Sequence, residues 1–565
     1  MDKLMNHSYT GRLKWVIDQA PVWLLLILGM WLVVLRPLGA HLALVPGDLG
    51  DARFNNYILE HFFHWVTGAT RDYWDAPFFF PFQQTIAFSD NLLGSAPFYA
   101  LFRWVGRDMA SAFQAWYFLG YLLNFIAAGY VLWRLKLKSL AIGAGAFFFT
   151  FGLPVLAQEN HAQLIFRFCI PLACFLLWQF YQAPRLQTLI YLSAFIVWQF
   201  YLTIYMGIFL SLLLVVLFVL LPFFAPEQTF FQRIAVWPRC LIESWSKAHL
   251  SERIFAVVAA AVLGFGFMLL ILPYYRASRI YGFSRSLVEV SAMLPRIQSY
   301  LLADNSQLWS SLAKFLPNFP LRWEHQLFPG LADVTLVLVG IAWRFHTPSR
   351  TIAWLHFTAV LTLIALTLQV HGFSLYRLVW MLPGMSSIRA ITRIMLVVMW
   401  PLSIFIAWVV DGFILRFSQQ RRWMQTAVYL IVGLLVVESV FYSHATFPKA
   451  VAQSRLDELA KQIPAKVPVN PVLYVAENLQ DPSYATEIDA MLLSQELGWS
   501  TLNGYSGNYP PGYKSSTSCK QLPVLIKNYM DFAGITSESF YLEIIKRVVP
   551  LGFDDCNQSW WGKMP

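Results

Sequence analysis

The chain has 565 residues, of which 58% are hydrophobic and 13% charged, with a net charge of +10. Soluble globular proteins carry roughly 25% charged residues, so an ordinary soluble or disordered chain is excluded and a polytopic membrane protein is expected. The basic residues are scattered between apolar runs, which argues against a nucleic-acid partner, and the five cysteines include no CxxC spacing suited to a metal.

A membrane-spanning helix needs about 20 mostly apolar residues. Runs at 20–38, 111–133, 140–157, 168–181, 188–205, 207–224, 254–273, 331–345, 351–370, 394–415 and 424–442 predict about 11 spans. The first follows Lys3, Arg12 and Lys14 and has no small-x-small cleavage site, so it reads as an uncleaved anchor with a cytoplasmic N-terminus. The connections then assigned to the inside hold Arg134, Lys136 and Lys138, then Arg185, then Arg233, Arg239, Lys247 and Arg253. They also hold Arg344 and Arg350, then Arg416, Arg421 and Arg422, as the positive-inside rule asks. An odd number of spans puts the C-terminus outside. The expected fold is an all-α transmembrane domain over 1–442, with long outer loops at 44–110 and 274–330, followed by a small α+β extracytoplasmic domain over 443–565.

In the first outer loop, a helix over 51–66 would put Phe54, Ile58, Phe62, Trp65 and Val66 on one face. Arg53, Asn56, Glu60 and His64 would lie opposite, as a solvated face of a helix at the membrane surface. Asp51 and Asn55 fall on the apolar side, where an unused carboxylate is costly. Asp51 is therefore either a first-turn acid on the helix dipole or the first candidate for catalysis, with Asn55 one turn away to hold it. Asp48 is either a helix cap or a second acid. Glu438 and Asp411 lie near span ends.

Two segments could contact a phosphate. Between the third and fourth spans stand Gln158, Glu159, Asn160, His161, Gln163 and Arg167. Polar groups and an arginine at a membrane edge suit a lipid headgroup. His161 has no second histidine at ligand spacing, so it is a weak metal ligand. Before the tenth span, Ser386 or Ser387 would cap the helix, and Arg389 and Arg393 would be neighbours one turn apart in its opening turns. Snorkelling to lipid headgroups is the plainer alternative for these arginines. In the tail, 471–476 (PVLYVA) reads as a strand, and 489–497 and 520–532 as helices. Cys519 and Cys556 share this compartment, so they form either a disulfide or two free thiols.

The first loop, with Asp51-Ala52-Arg53-Phe54, Thr67-Gly68, Tyr73-Trp74-Asp75-Ala76-Pro77, Phe80-Pro81 and Ser89-Asp90, resembles the C-type membrane glycosyltransferases, the GT-C superfamily. The similarity is to the branch that includes the aminoarabinose and protein O-mannosyl transferases, and it covers about the first 200 residues. Ala52 departs from the glutamate common there. The tail run 502–513 (LNGYSGNYPPGY) is similar to a motif of uncharacterised bacterial relatives and assigns no activity.

The resemblance implies an inner-membrane enzyme that takes a sugar from a polyprenyl-phosphate donor to a cell-envelope glycan or lipid acceptor. Asp51, or failing it Asp48, would be the base. Asn55, Glu159, His161, Arg167, Arg389 and Arg393 would line the substrate site. No metal site is assigned, and dependence on a divalent ion stays open. The rivals are an O-antigen-like polymerase or ligase, and a non-enzymatic flippase for lipid-linked glycans.

Overall fold

The computed structural model describes residues 18–224, 230–343, 345–417 and 422–556. Lys3, Arg12, Lys14, Arg344 and Arg421 of the topology argument lie outside the described residues, as do the side chains of Arg233 and Arg422. Eight helices among the described residues are long and apolar enough to cross a membrane: Ala20–Leu38, Met109–Arg134, Ser139–Leu156, Ala162–Gln182, Ile204–Phe224, Leu250–Tyr281, Arg350–Thr367 and Ile391–Arg416. The other three expected spans are shorter apolar helices, Leu186–Leu202, Leu331–Trp343 and Thr426–Val440. Length alone therefore supports eight spans and leaves the expected eleven unreached.

Helix Ser139–Phe151 sits at the centre of the bundle, against Met109–Arg134, Met395–Phe417 and Ala20–Gly29. Small residues permit this close packing. A Cβ at Gly145 would stand 3.1 Å from the Ser403 carbonyl, and the Ser403 hydroxyl donates to the Gly145 carbonyl at 2.6 Å. The two acids at span ends satisfy backbone groups of neighbouring helices. Asp411 accepts from the Lys138 N–H at 2.8 Å, and Glu438 accepts from Leu331 N–H at 2.6 Å and Ala332 N–H at 3.2 Å.

The chain entering the first loop pairs with the chain leaving the last helix. Strand β1 (Leu44–Pro46) runs antiparallel to β2 (Thr446–Pro448), with Val45 opposite Phe447. The tail then forms a parallel sheet of β3 (Val472–Val475) between β4 (Ser500–Thr501) and β5 (Val548–Leu551). The expected tail elements appear as β3 and as helices Ser483–Leu497 and Gln521–Ala533, joined by Lys449–Ala460 and Glu538–Ile545. Cys519 and Cys556 are bonded, with their Cα atoms 5.2 Å apart.

The first-loop helix spans Asp51–Val66 as the periodicity predicts. Its setting differs from the expected membrane surface. Residues 52–62 are buried on every side, because the tail and helix Ala96–Trp104 of the same loop together cover the polar face. Arg53 pairs with Asp489 at 2.6 Å, and Asp489 is also held by Arg455 at 2.6 Å. Glu60 is no solvated residue: it takes both Nε and Nη2 of Arg103 at 2.8 Å and the Tyr99 hydroxyl at 2.5 Å. His64, half-buried, lies 3.4 Å from Glu60. The period-3.6 pattern marks one apolar face correctly, but it cannot show that ion pairs seal the other.

This interface predicts an asymmetry. Removing one partner of a buried pair typically costs about 3–5 kcal/mol, so Asp489→Ala, which strands buried Arg53, should loosen the tail by that order. Arg455→Ala, at the more exposed end, should cost about 1 kcal/mol or less. Limited proteolysis of the 461–471 connection along a denaturant series measures both; equal losses would contradict the assignment.

Candidate active site

The site is built where the first loop, the segment before the fourth span, the second long loop and the tail converge. Asp48 starts it. Its Oδ1 accepts from the N–H groups of Gly50 at 3.1 Å and Ala52 at 3.4 Å, so it caps the first-loop helix from just outside. Asp51 opens the helix, where an acid also suits the helix dipole.

Both oxygens of Asp51 are engaged. Oδ2 lies 2.5 Å from His161 Nδ1, and Oδ1 accepts from the Tyr505 hydroxyl at 2.5 Å. His161 Nε2 lies 2.9 Å from Arg393 Nη2 and 3.3 Å from Glu324 Oε1. Glu324 in turn receives Arg393 at 2.8 and 3.2 Å. Asp51, His161, Glu324 and Arg393 thus form one chain of alternating charge. Nδ1–H of His161 donates to Asp51 in either protonation state. Nε2 accepts from Arg393 when the ring is neutral and donates to Glu324 when it is charged.

Burial and the Arg393 charge both oppose protonation of His161, but hydrogen bonds to Asp51 and Glu324 outweigh them and push its pKa up to about 9. Burial would raise Asp51, yet the hydrogen bond and charge of His161, with Tyr505 and Arg393, hold it below the usual carboxylate range. Glu324 is likewise buried, and the Arg393 charge and His161 hold it well below its ordinary value. Asp48 goes the other way, raised by burial and then by the Asp51 charge.

Several expectations need correction. Asn55 does not hold the Asp51 carboxylate; its amide donates to the Asp51 backbone carbonyl at 2.7 Å and to Gln163 at 2.8 Å. Glu159, expected at the substrate site, has both carboxylate oxygens engaged within the chain. It is buried and fixes the chain beyond the last helix, taking His444 Nδ1 at 2.8 Å and the Ala445 N–H at 2.5 Å. Arg167 is fully enclosed in the bundle, its guanidinium 5.0 Å over the Phe149 ring, so it is not set to meet a headgroup.

Arg389 and Arg393 do not share a helix face. The helix begins at Met395, after the short turn Ile391–Ile394, and Arg389 precedes that turn. Ser386 and Ser387 lie in a separate turn, Met385–Ser387, and do not cap the span. Arg393 is consumed by Glu324 and His161, whereas Arg389 is 42% exposed and 3.4 Å from Glu289. Among the described residues no group of three or more His, Cys, Asp or Glu is arranged to hold a metal.

Glu324 and Tyr505 were not anticipated. Glu324 sits in the single 3₁₀ turn Arg322–His325 of the second long loop, too short for a periodic signal. Tyr505 lies in the 502–513 run, whose glycines and tyrosines marked it without assigning a role.

No protein-family model and no curated protein matches the chain. Among solved structures it is similar to the arabinofuranosyltransferase AftD from Mycobacteria, at 13% identity and a TM-score of 0.44 over 80% of this chain. It is also similar to an oligosaccharyltransferase of Archaeoglobus fulgidus in the apo form, at 10% identity and a TM-score of 0.46 over 86% of this chain. A third similar structure is the oligosaccharyltransferase AglB of Archaeoglobus fulgidus with an inhibitory peptide and a dolichol-phosphate, at 12% identity and a TM-score of 0.43 over 87% of this chain. The chain spans 29% of the length of the first and 65% of each of the others. At this level of likeness, function has to be argued from the side chains of the site.

The His161 shift has a defined sign. A group raised in the folded state stabilises fully below its unfolded value and loses that contribution as pH rises through its folded value. The difference in melting temperature between the native chain and His161→Gln should therefore be largest below about 6.5. It should shrink as pH rises through about 9. Thermal unfolding in detergent from pH 6 to 10 measures it; a constant difference would rule out the charged ring.

Proposed function

We propose that the chain is a membrane glycosyltransferase of the GT-C type, which moves a sugar from a polyprenyl-phosphate donor to a hydroxyl of a cell-envelope glycan or lipid acceptor. The observation that carries this reading is Asp51: a carboxylate fixed on one oxygen by His161 and on the other by Tyr505. The bundle and the tail both contribute to a single acid, the arrangement a positioned general base requires.

In the proposed reaction the acceptor oxygen attacks the anomeric carbon. The bond from that carbon to the phosphate oxygen breaks, and the polyprenyl phosphate leaves with the electron pair. The hydroxyl proton passes to Asp51. Its contacts keep it ionised at neutral pH, so it is ready to accept. Each carboxylate oxygen has a second lone pair available beside its present partner. Arg389, exposed next to Glu289, is the cation available to the leaving phosphate. Arg393 serves instead to hold Glu324 and His161.

The base accounts for about 10²–10⁴-fold of turnover in such reactions, so Asp51→Asn should slow transfer by that order. Asp48→Asn should weaken only the helix start, by about 1 kcal/mol or less. Assays of sugar transfer from a polyprenyl-phosphate donor in proteoliposomes test this. Near-normal transfer by the double variant would remove this loop from the chemistry, and no transfer by the native chain would favour the flippase reading.

The site is proposed to face the periplasm of a bacterial inner membrane, with the N-terminus in the cytoplasm; the basic connections on the far side support it. Since β1 of the first loop pairs with β2 beyond Tyr442, both belong on one side, so a reporter active only in the cytoplasm and fused after Tyr442 should stay silent, and a strong signal would reverse the sides.

A further inference from the structure

Tyr505 reaches Asp51 from a loop that is clamped along its length. Asn503 both accepts from the Val475 N–H at 2.7 Å and donates to the Val475 carbonyl at 3.0 Å, tying the loop to the end of β3. Asn508 donates to the Phe88 carbonyl at 3.0 Å, and Arg285 donates to the Gly507 carbonyl at 2.6 Å. A Cβ at Gly504 would overlap the Phe79 ring, so the backbone passes there only as glycine.

Beneath this loop lies a carboxylate with no role in the chemistry above. Glu487, on helix Ser483–Leu497, is 4% exposed. Its Oε2 accepts from the Gly504 N–H at 2.8 Å and from the Tyr513 hydroxyl at 2.5 Å. The same Gly504 N–H is 3.1 Å from the Tyr513 oxygen. The titratable groups facing Glu487 are Tyr513 and Tyr509 of the loop, Tyr474 of β3, and Glu477 just beyond that strand. Among the described residues no Lys, Arg or His forms an ion pair with it.

We infer that Glu487 is a positioning residue for the site: its buried carboxylate grips Gly504 and Tyr513, and so sets the adjacent Tyr505 on Asp51. This rests on the glycosyltransferase reading only for its consequence in turnover. The physical argument is one of opposed terms. A buried acid without a cation is unfavourable, and here burial lifts the pKa from 4.5 to about 7 against the hydrogen bonds of Tyr513 and Gly504. Between those two values the unfolded chain releases the proton and the folded chain keeps it, so this group lowers stability as pH rises through that window. A glutamine of the same shape would avoid that loss. A carboxylate gives stronger, charge-assisted hydrogen bonds to the loop. For an opening that breaks these bonds while the side chain stays buried on its helix, protonation near pH 7 weakens the grip, and the loop with Tyr505 loosens.

The test is hydrogen exchange of the Gly504 amide in the full chain, in detergent, from pH 5.5 to 8.5, corrected for the intrinsic pH dependence of exchange. Protection should fall about tenfold as pH drops through 7, since charge-assisted bonds are roughly twice as strong as neutral ones. Glu487→Gln should give weaker protection that no longer varies with pH, while its melting temperature at pH 8 equals or exceeds that of the native chain. A merely structural glutamate would instead lose melting temperature on this change and leave no pH signature. Protection that is flat with pH in the native chain, or a response near pH 7 that persists in Glu487→Gln, overturns the inference. The experiment uses no substrate, so it stands whether or not sugar transfer is found. In the transfer assay, the fall in rate below pH 7 should likewise be absent from Glu487→Gln.

Discussion

A half-buried carboxylate between a membrane bundle and a covering domain is stable only if hydrogen bonds and charge replace the water it has lost. Asp51 meets that constraint from both sides: His161 approaches from the bundle, and Tyr505 from the tail. Each partner needs its own support. His161 is flanked by Glu324 and Arg393, from the second long loop and the turn before a deep span. Tyr505 is supported by Asn503, Gly504 and Asn508, which fasten its loop to β3, to Glu487 and to the first loop. Four segments distant in sequence therefore depend on one acid.

The same logic explains the first-loop helix. On its apolar side Phe54 packs on Phe78 and Tyr505 and Phe62 on Tyr73, while its polar side meets helix Ala96–Trp104 and the tail rather than water. Burying Arg53 and Glu60 adds little to stability once desolvation is counted, but their geometry is restrictive. The two-pronged contact of Arg103 on Glu60 fixes the helix against Ala96–Trp104, and the Arg53–Asp489 pair fixes it against Ser483–Leu497. These contacts hold the start of the helix, and hence Asp51, in one place. The motif residues beyond the helix help in the same way: Asp90 accepts from the Ile204 N–H at 2.8 Å, and the backbones of Phe79 and Phe80 pair with 501–503 of the tail. In physical terms the resembled loop motif is a set of docking contacts around one acid.

The membrane class, the places of the apolar helices, the first-loop helix and the strand and helices of the tail are all legible in the amino-acid sequence. Those features follow from local composition and periodicity, which a single segment carries in full. The sequence also singles out Asp51, because a carboxylate on the apolar side of a helix conflicts with its surroundings unless it has a use. Partnership became visible only once the chain was folded. Glu60 reads as solvated until Arg103 and Tyr99 are brought across it, and Arg393 reads as half of an arginine pair until a turn separates it from Arg389. Glu324 carries no local signal and Tyr505 none that names its partner, since a loop residue joins a site through contacts made 163 and 454 positions away, with His161 and Asp51 respectively. Those contacts depend on how helices and domains pack, and packing is set by the whole buried surface rather than by any one stretch of chain.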